Sequence, residues 1–358
     1  MTYGAIATKC QSKIQARSQR RWKYCYLRMK MRESASQEDV NLVSLTESEP
    51  VPAFADLSPE EFKRKFLSIY KPVSILPPDQ YMTLVLQATE GCSHNRCTFC
   101  SFYRDRQFRI KTLPEFRRHV AQVKEFMGSA LRTRRTIFLA DANAIVIPQR
   151  LLVPMLDAVN DSFEIAPAGA NAVFYKLSHP EAFDGVYAFV DAFTTRYKTA
   201  DDFSKLAMRN LRRVYMGLET GHDQLLQWLC KAGTSADAIE AVRKIKGGGV
   251  SVGVIIMTGI GGRRFAQQHV ADTVRVVNSM GLDQNDLVYF SEFIDSVGSD
   301  YSRIAARDGV EPLTHAETRI QMESIRSGLS FPRLAPTISV YDIHEVSMAV
   351  MNSGTVVY

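Results

Sequence analysis

The chain has 358 residues, 46% of them apolar, and a formal net charge of +6. These values are typical of one large or two medium globular domains and exclude a fibrous or strongly biased protein. No apolar stretch reaches about eighteen residues, so no membrane-spanning helix is expected. Six cysteines in so long a chain do not resemble a disulfide framework, which favours a reducing, cytoplasmic location.

The positive charge is concentrated at the amino terminus. Residues 1–32 contain nine Lys or Arg and no acid, so the formal charge of +6 minus these nine leaves −3 for the rest. Three interpretations stay open for this leader: a nucleic-acid-binding arm, an organellar targeting peptide, or an extension without function. Because it lacks apolar periodicity, we predict residues 1–57 to be a disordered basic leader and linker.

Alternating strand and helix patterns dominate the chain from residue 82 onward. Residues 58–81 are predicted to be a helix and a connection, with Ser58 and Glu61 spaced as a capping box. Thr112 and Glu115 have the same spacing at the start of a later helix. Apolar runs predict strands at 82–89, 136–140, 185–193, 212–221, 250–262 and 286–293. Six strand–helix units predict an α/β fold, a parallel sheet closed partly or completely into a TIM-like (β/α)6 barrel over residues 82–293.

Residues 294–358 are predicted to be a C-terminal extension. It contains an amphipathic helix with Thr314 as its N-cap and Glu317 at the third helical position. The segment that follows is rich in apolar and β-branched residues, and either closes the sheet as a further strand or covers the mouth of the barrel.

A loop with three cysteines follows the first predicted strand. Cys92, Cys97 and Cys100 lie within nine residues, and converging thiolates suit zinc or an iron–sulfur cluster. No fourth cysteine lies within forty residues on either side, which favours a site with one open metal position. The alternatives are zinc with His94 or His119 as fourth ligand, and an electron-transfer cluster.

Polar residues also follow the other predicted strands. They are Asp141 and Asn143 after the second, Asp191 and Thr194 after the third, Glu219 and Thr220 at the fourth, and Thr258 with Gly259–Gly262 at the fifth. The carboxyl ends of parallel strands form the active-site edge of such barrels. Each residue alone also fits a helix cap or a tight turn, so their joint placement carries the functional interpretation. Cys230 and His269 are expected to be structural, Cys230 as a small buried residue.

These residues resemble the radical S-adenosylmethionine (SAM) superfamily. The loop GCSHNRCTFC, with Phe99 before the last cysteine, is similar to the superfamily signature, although its first spacing is four residues instead of three. FLADANA, VYMGLETGHDQLLQWLCKAGTS and IIMTGIGG are similar to a CxxxxCxxC subgroup whose core is like that of the MiaB and NifB enzymes. This subgroup is related to the oxygen-independent coproporphyrinogen oxidases. The resemblance covers residues 82–293.

The resemblance implies a [4Fe-4S] cluster bound by Cys92, Cys97 and Cys100, with SAM on the fourth iron. It implies a 5′-deoxyadenosyl radical that takes hydrogen from an unidentified substrate, and a reductant such as flavodoxin or ferredoxin. Cofactor contacts are implied for Phe99, Asp141, Glu219, Gly259, Gly261 and Gly262, with Asp141 standing where the superfamily usually has Gly-Gly-Glu. No second cluster and no bound cobalamin are expected.

Two points stay open at this stage. Because Gly-Gly-Glu is missing, a cluster- or zinc-binding protein without SAM chemistry is the alternative to a radical SAM enzyme. No residue can be assigned as catalytic, and Arg303, Arg307, Asp342 and His344 are the candidates for substrate recognition.

Overall fold

A computed structural model describes residues 57–73, 75–295 and 298–341. The helices are α1 (Pro59–Ile69), α2 (Leu113–Met127), α3 (Gln149–Ser162), α4 (Ala172–Ser178), α5 (Ala192–Thr195), α6 (Ala200–Ala207), α7 (Asp223–Trp228), α8 (Ser235–Gly247), α9 (Gly262–Asn278), α10 (Asp300–Arg307) and α11 (His315–Gly328). The strands are β1 (Thr83–Gln87), β2 (Thr89–Glu90), β3 (Arg109–Ile110), β4 (Thr136–Ala140), β5 (Val186–Val190), β6 (Leu211–Glu219), β7 (Ser251–Thr258), β8 (Leu287–Glu292) and β9 (Thr337–Tyr341). Residues 1–56 of the predicted leader, together with Asp342 and His344, lie outside the described residues, and the predicted domain boundaries stay predictions.

Seven parallel strands form one sheet in the order β1-β4-β5-β6-β7-β8-β9. All six predicted strands are present, and β9 adds a seventh from the C-terminal extension. In the described part of the chain β1 and β9 are the two edges and do not pair with each other. The partial form of the predicted barrel is therefore confirmed. None of the described helices is both long and apolar enough to span a membrane.

Large side chains meet across the concave face of this sheet. The rings of Phe138 on β4 and Tyr215 on β6 have centroids 6.2 Å apart although β5 lies between their strands. Neighbouring strands are about 4.8 Å apart, so such a contact follows from curvature of the sheet. Asp79, just before β1, accepts hydrogen bonds from the hydroxyls of Tyr215 on β6 and Tyr289 on β8, and so links the start of β1 to both strands.

At the outer edge of β1, side chains rather than a further strand bond to the free backbone groups. The Tyr70 hydroxyl donates to the Val85 carbonyl at 3.0 Å, and the Gln87 amide donates to His119 Nε2 at 3.0 Å. An edge strand with free backbone groups invites pairing with other chains. These two bonds occupy backbone groups of β1, so the sheet can end at this strand without a further one.

The capping boxes that the sequence predicts at three helix starts are present in the structure. Ser58, Thr112 and Thr314 each form the predicted capping box with the glutamate three residues later. Each box satisfies two backbone donors that the helix itself leaves free. Because these bonds span only three residues, the sequence alone predicts them.

His119 makes the stability of the fold sensitive to acid. Burial lowers its pKa to about 4, with a further contribution from Lys111. The unfolded chain, with an ordinary histidine pKa of about 6.5, binds more protons below that pH than the folded chain does. The folded state therefore loses stability as the pH falls from about 6.5 to about 4, by up to about 1.4 kcal/mol per pH unit for this group.

We expect His119→Gln to flatten this dependence, because the glutamine amide oxygen can still accept from Gln87 but takes up no proton. Urea unfolding of the cluster-free protein at several values between pH 7 and pH 5 gives the free energy of unfolding. Equal slopes in the parent and the variant would contradict a buried neutral His119.

Candidate functional site

The three cysteines lie on the loop that connects β2 with β3, at the carboxyl end of β1. All three are half-buried free thiols. β2 and β3 form a short antiparallel ribbon that closes the base of this loop. Electrostatic interactions link Cys97 and Cys100 to each other and to Cys92, so the loop gathers the three thiols in one neighbourhood.

The cysteine loop is fixed by backbone contacts to the segment after α7. The Thr98 amide donates to the Leu229 carbonyl at 3.0 Å, and His94 Nε2 lies 2.6 Å from the Cys230 carbonyl. Arg104 donates to the carbonyls of Cys97 and Cys100, at 3.0 and 3.3 Å. These bonds hold the main chain and leave the sulfur atoms available to a ligand.

Asp141, at the end of β4, supports the base of the cysteine loop. Its buried carboxylate accepts from the Gly91 amide at 3.0 Å and from the Gln87 side-chain amide at 2.9 Å. Arg106 approaches the same carboxylate at 3.5 Å, and burial raises the pKa of Asp141 despite these partners. The structure thus gives Asp141 a role in positioning the loop, and its contact with SAM stays a prediction.

Glu219 and Lys231 form an ion pair beside Cys97. Glu219 ends β6 with a positive φ of 61°, and its Oε1 lies 3.3 Å from Lys231 Nζ. A side chain on Gly217 would collide with the Glu219 carboxylate, so that glycine makes room for the pair. Burial lowers the pKa of Lys231, but Glu219 and Cys97 raise it by more, so the amine is protonated at neutral pH.

A second polar group lines the same edge of the sheet. The Asn143 side-chain amide donates to Asp191 and, at 3.0 Å, to the Thr194 hydroxyl. Asp191 also caps α5 by accepting from the Thr194 amide, and it interacts electrostatically with Lys231. The predicted gathering of polar residues from β4, β5 and β6 at one edge is therefore present in the fold.

The glycine turn after β7 is packed into neighbouring elements. The Gly259 amide donates to Gln321 Oε1 at 2.7 Å, and a β-carbon on Gly261 would press on Leu225. A β-carbon on Gly262 would collide with the Glu311 carbonyl. Close packing explains the glycines here, and their approach to a cofactor stays a prediction.

Other predicted residues have structural partners. Thr220 is fully buried and its hydroxyl lies 2.7 Å from His269 Nδ1, so the structural role expected for that histidine is in the core. The Thr258 hydroxyl donates to the Ser291 carbonyl at 3.4 Å. Arg303 and Arg307 form surface ion pairs with Asp300 and Asp308, and their role in substrate recognition stays a prediction.

The prediction for Cys230 is wrong. α7 ends at Trp228, and Cys230 has a positive φ of 54° that turns its side chain to the surface. Cys230 therefore follows the helix and does not lie on its buried face. Lys231 and Arg106 were missed, because each acts on a partner that lies more than ten residues away.

The donor set fits an iron–sulfur cluster better than a zinc ion. Neither histidine of the zinc alternative is free, since His94 contacts the Cys230 carbonyl and His119 accepts from Gln87 on β1. Within the described ranges no three His, Cys, Asp or Glu side chains surround a single metal-ion position. A cluster has no such requirement, because each cysteine binds a different iron. Burial raises the pKa of Cys97 to about 11, so metal binding has to displace a proton there.

The fold and the site together define a parallel α/β protein with a three-thiol centre at the carboxyl edge of its sheet. No protein-family profile and no curated protein matches the sequence.

Solved structures with a similar fold include three enzymes. They are OxsB, a cobalamin-dependent SAM radical enzyme (14% identity, 69% of this chain, 31% of that chain, TM-score 0.42), coproporphyrinogen III oxidase HemN from Escherichia coli, a radical SAM enzyme (13%, 81%, 60%, 0.44), and TsrM from Kitasatospora setae, a radical SAM methyltransferase (16%, 63%, 40%, 0.41). The chain thus spans about a third of the length of OxsB. All three are described as enzymes of the superfamily that the sequence resembles. Because these TM-scores are low, the function is argued from the residues of the site.

The Glu219–Lys231 pair can be tested by its effect on stability. Lys231→Met leaves the Glu219 carboxylate nearly buried and unpaired, at a cost on the order of 3 kcal/mol in the free energy of unfolding. Adding Glu219→Gln removes the unpaired charge, so we expect the double variant to recover much of that loss. Urea unfolding of the cluster-free single and double variants measures the coupling, and strictly additive losses would contradict a direct pair.

Proposed function

We propose that this protein is a radical SAM enzyme that acts on an unidentified substrate. The observation that carries the proposal is the placement of three free thiols on one loop, directly beside the Glu219–Lys231 pair. In this proposal Cys92, Cys97 and Cys100 bind a [4Fe-4S] cluster and leave one iron for SAM. Such a cluster, when bound, supplies the electron that splits SAM into methionine and a 5′-deoxyadenosyl radical.

The residues beside the cysteines suit the charges of SAM. The amino group and the carboxylate of its methionine part would both bind the open iron, and Glu219 and Lys231 offer these two groups a hydrogen-bond acceptor and a positive charge at the same edge. The pair is nearly buried, and ionic contacts are stronger where water is excluded. We infer that Glu219 and Lys231 open their mutual contact, so that Glu219 accepts a hydrogen bond from the iron-bound amine and Lys231 contacts the carboxylate.

Phe99 is suited to the adenine ring. It sits between Thr98 and Cys100 on the cysteine loop and is only half-buried against neighbouring apolar residues. An aromatic side chain with an open face can stack on a base. Asp141 keeps this loop in place through Gly91, and in that way it serves cofactor binding even without touching SAM.

The electron has to come from a partner. Arg96 is exposed on the cysteine loop and offers a positive charge near the thiols. Electrostatic complementarity would steer an acidic one-electron carrier to this surface. We propose a flavodoxin or a ferredoxin in this role.

The deciding experiment is the production of 5′-deoxyadenosine. We expect anaerobically reconstituted protein to contain about four irons per chain and to convert SAM into 5′-deoxyadenosine and methionine when dithionite is added. Iron-loaded protein that forms no 5′-deoxyadenosine would instead favour the alternative, a cluster-binding protein without SAM chemistry. Protein that holds zinc in place of iron would contradict both the radical SAM function and this alternative.

Single cysteine variants test which thiols bind the cluster. Changing Cys92, Cys97 or Cys100 to Ala should abolish iron loading and product formation, because three thiolates are needed to hold the cluster. Cys230→Ala should keep both, since this thiol lies on the surface and its carbonyl, not its sulfur, contacts the loop. Equal iron content in all four variants would contradict the assignment of the ligands.

A further inference from the structure

A small apolar core, separate from the core of the barrel, lies beside the cysteine loop. We call it the rim core. Its buried members are Leu225, Leu229, Ile260, Phe265, Tyr301, Ala305 and Val310, with Phe99, Trp228, Met257 and Phe293 packed against them. These residues come from the cysteine loop, from β7 and the glycine turn, from α7, α9 and α10, and from the residues just after α7, β8 and α10. The rim core therefore joins the cysteine loop to the glycine turn, for which the resemblance in sequence also implies cofactor contacts.

Tyr301 is the member of the rim core that bonds to both loops. Its backbone amide donates to the Thr98 carbonyl in the cysteine loop at 3.0 Å. Its hydroxyl accepts from the Gly261 amide in the glycine turn at 2.9 Å. Tyr301 is 6% exposed, so both bonds are sheltered from water.

Aromatic packing fixes the position of the Tyr301 ring. The ring lies 4.4 Å from that of Phe293 and 5.3 Å, edge to face, from that of Trp228. Contacts of this type stabilise by about 0.5–1.5 kcal/mol beyond the area they bury. The ring would thus stay in place if the hydroxyl alone were removed.

The rest of α10 is anchored to the same surroundings. Asp300 pairs with Arg104 of the cysteine loop at 3.3 Å. At the other end of the helix, Trp228 Nε1 donates to Asp308 at 2.7 Å. These contacts hold α10 against the site independently of the Tyr301 hydroxyl.

We propose that Tyr301 is a positioning residue that sets the glycine turn against the cysteine loop, so that SAM meets a preformed site. The inference rests on the proposed function. Without the hydroxyl the Gly261 amide is buried with no acceptor, and the turn becomes more mobile. SAM would then have to order the turn on binding, which lowers its affinity.

Tyr301→Phe tests this role, because it removes one oxygen and keeps the ring and the bond to Thr98. The matched control is Tyr175→Phe, which removes the bond from a tyrosine hydroxyl on α4 to Glu164 at 2.9 Å. Three quantities are measured on reconstituted protein: iron content, hydrogen exchange of the turn without SAM, and SAM affinity. Affinity is followed through the change that SAM causes in the electron paramagnetic resonance spectrum of the reduced cluster.

We expect Tyr301→Phe to keep its iron, to exchange the Gly261 region faster, and to bind SAM roughly tenfold more weakly. Tyr175→Phe should match the parent in all three. Unchanged exchange and unchanged SAM affinity in Tyr301→Phe would overturn the inference. A loss of iron in step with the loss of affinity would also overturn it, since that result indicates a structural role only.

If the proposed function were wrong, the same measurements would give a different result. In that case the loaded parent itself would not respond to SAM, and the inference would fall with it. Hydrogen exchange is measured without SAM, so it still reports whether the Tyr301 hydroxyl restrains the turn. The two failures are therefore distinguishable.

Discussion

Parallel strand pairing is the constraint on which this site depends. Each strand of the sheet ends at the same edge, so the cysteine loop after β1, Glu219 at the end of β6 and the glycine turn after β7 are brought together although they are far apart in sequence. The helices between the strands cover the outer face and supply the buried area that holds the edge in place. Chemistry at this edge can then vary without disturbing the core.

The edge gathers polar and charged groups that would be costly to bury alone. Glu219 and Lys231 offset each other, and Asp141 is satisfied by Gly91, Gln87 and Arg106. Beside these paired charges lie the three half-buried free thiols. A soft metal cluster is the ligand that such a set suits best. The rim core, against which Phe99 of the cysteine loop packs, supplies apolar surface beside that loop.

Features that depend on neighbours in the sequence could be predicted. β4 has the predicted bounds, and Thr112 and Glu115 form the predicted capping box, because apolar runs and cap spacing act over a few residues. The cysteine loop belongs to this class as well, since its three thiols lie within nine residues. The sequence therefore predicted the partial barrel and the position of the three cysteines at the carboxyl edge of its sheet.

Contacts that arise only on folding could not be predicted. Lys231 reaches Glu219 across a whole helix, and Tyr301 reaches Gly261 across forty residues and Thr98 across a far longer separation. The surface position of Cys230 follows from a left-handed backbone after α7, which apolar periodicity does not report. His119, whose side chain bonds to the edge of β1, likewise makes a contact that forms only when the chain folds.

The central claim is that three cysteines leave one iron free for SAM. Electron–nuclear double resonance on the reduced cluster, with SAM carrying nitrogen-15 in its amino group, tests it most directly. A coupling between the cluster spin and that nitrogen is the result we predict. A loaded and reduced cluster that shows no coupling to bound, labelled SAM would contradict the claim.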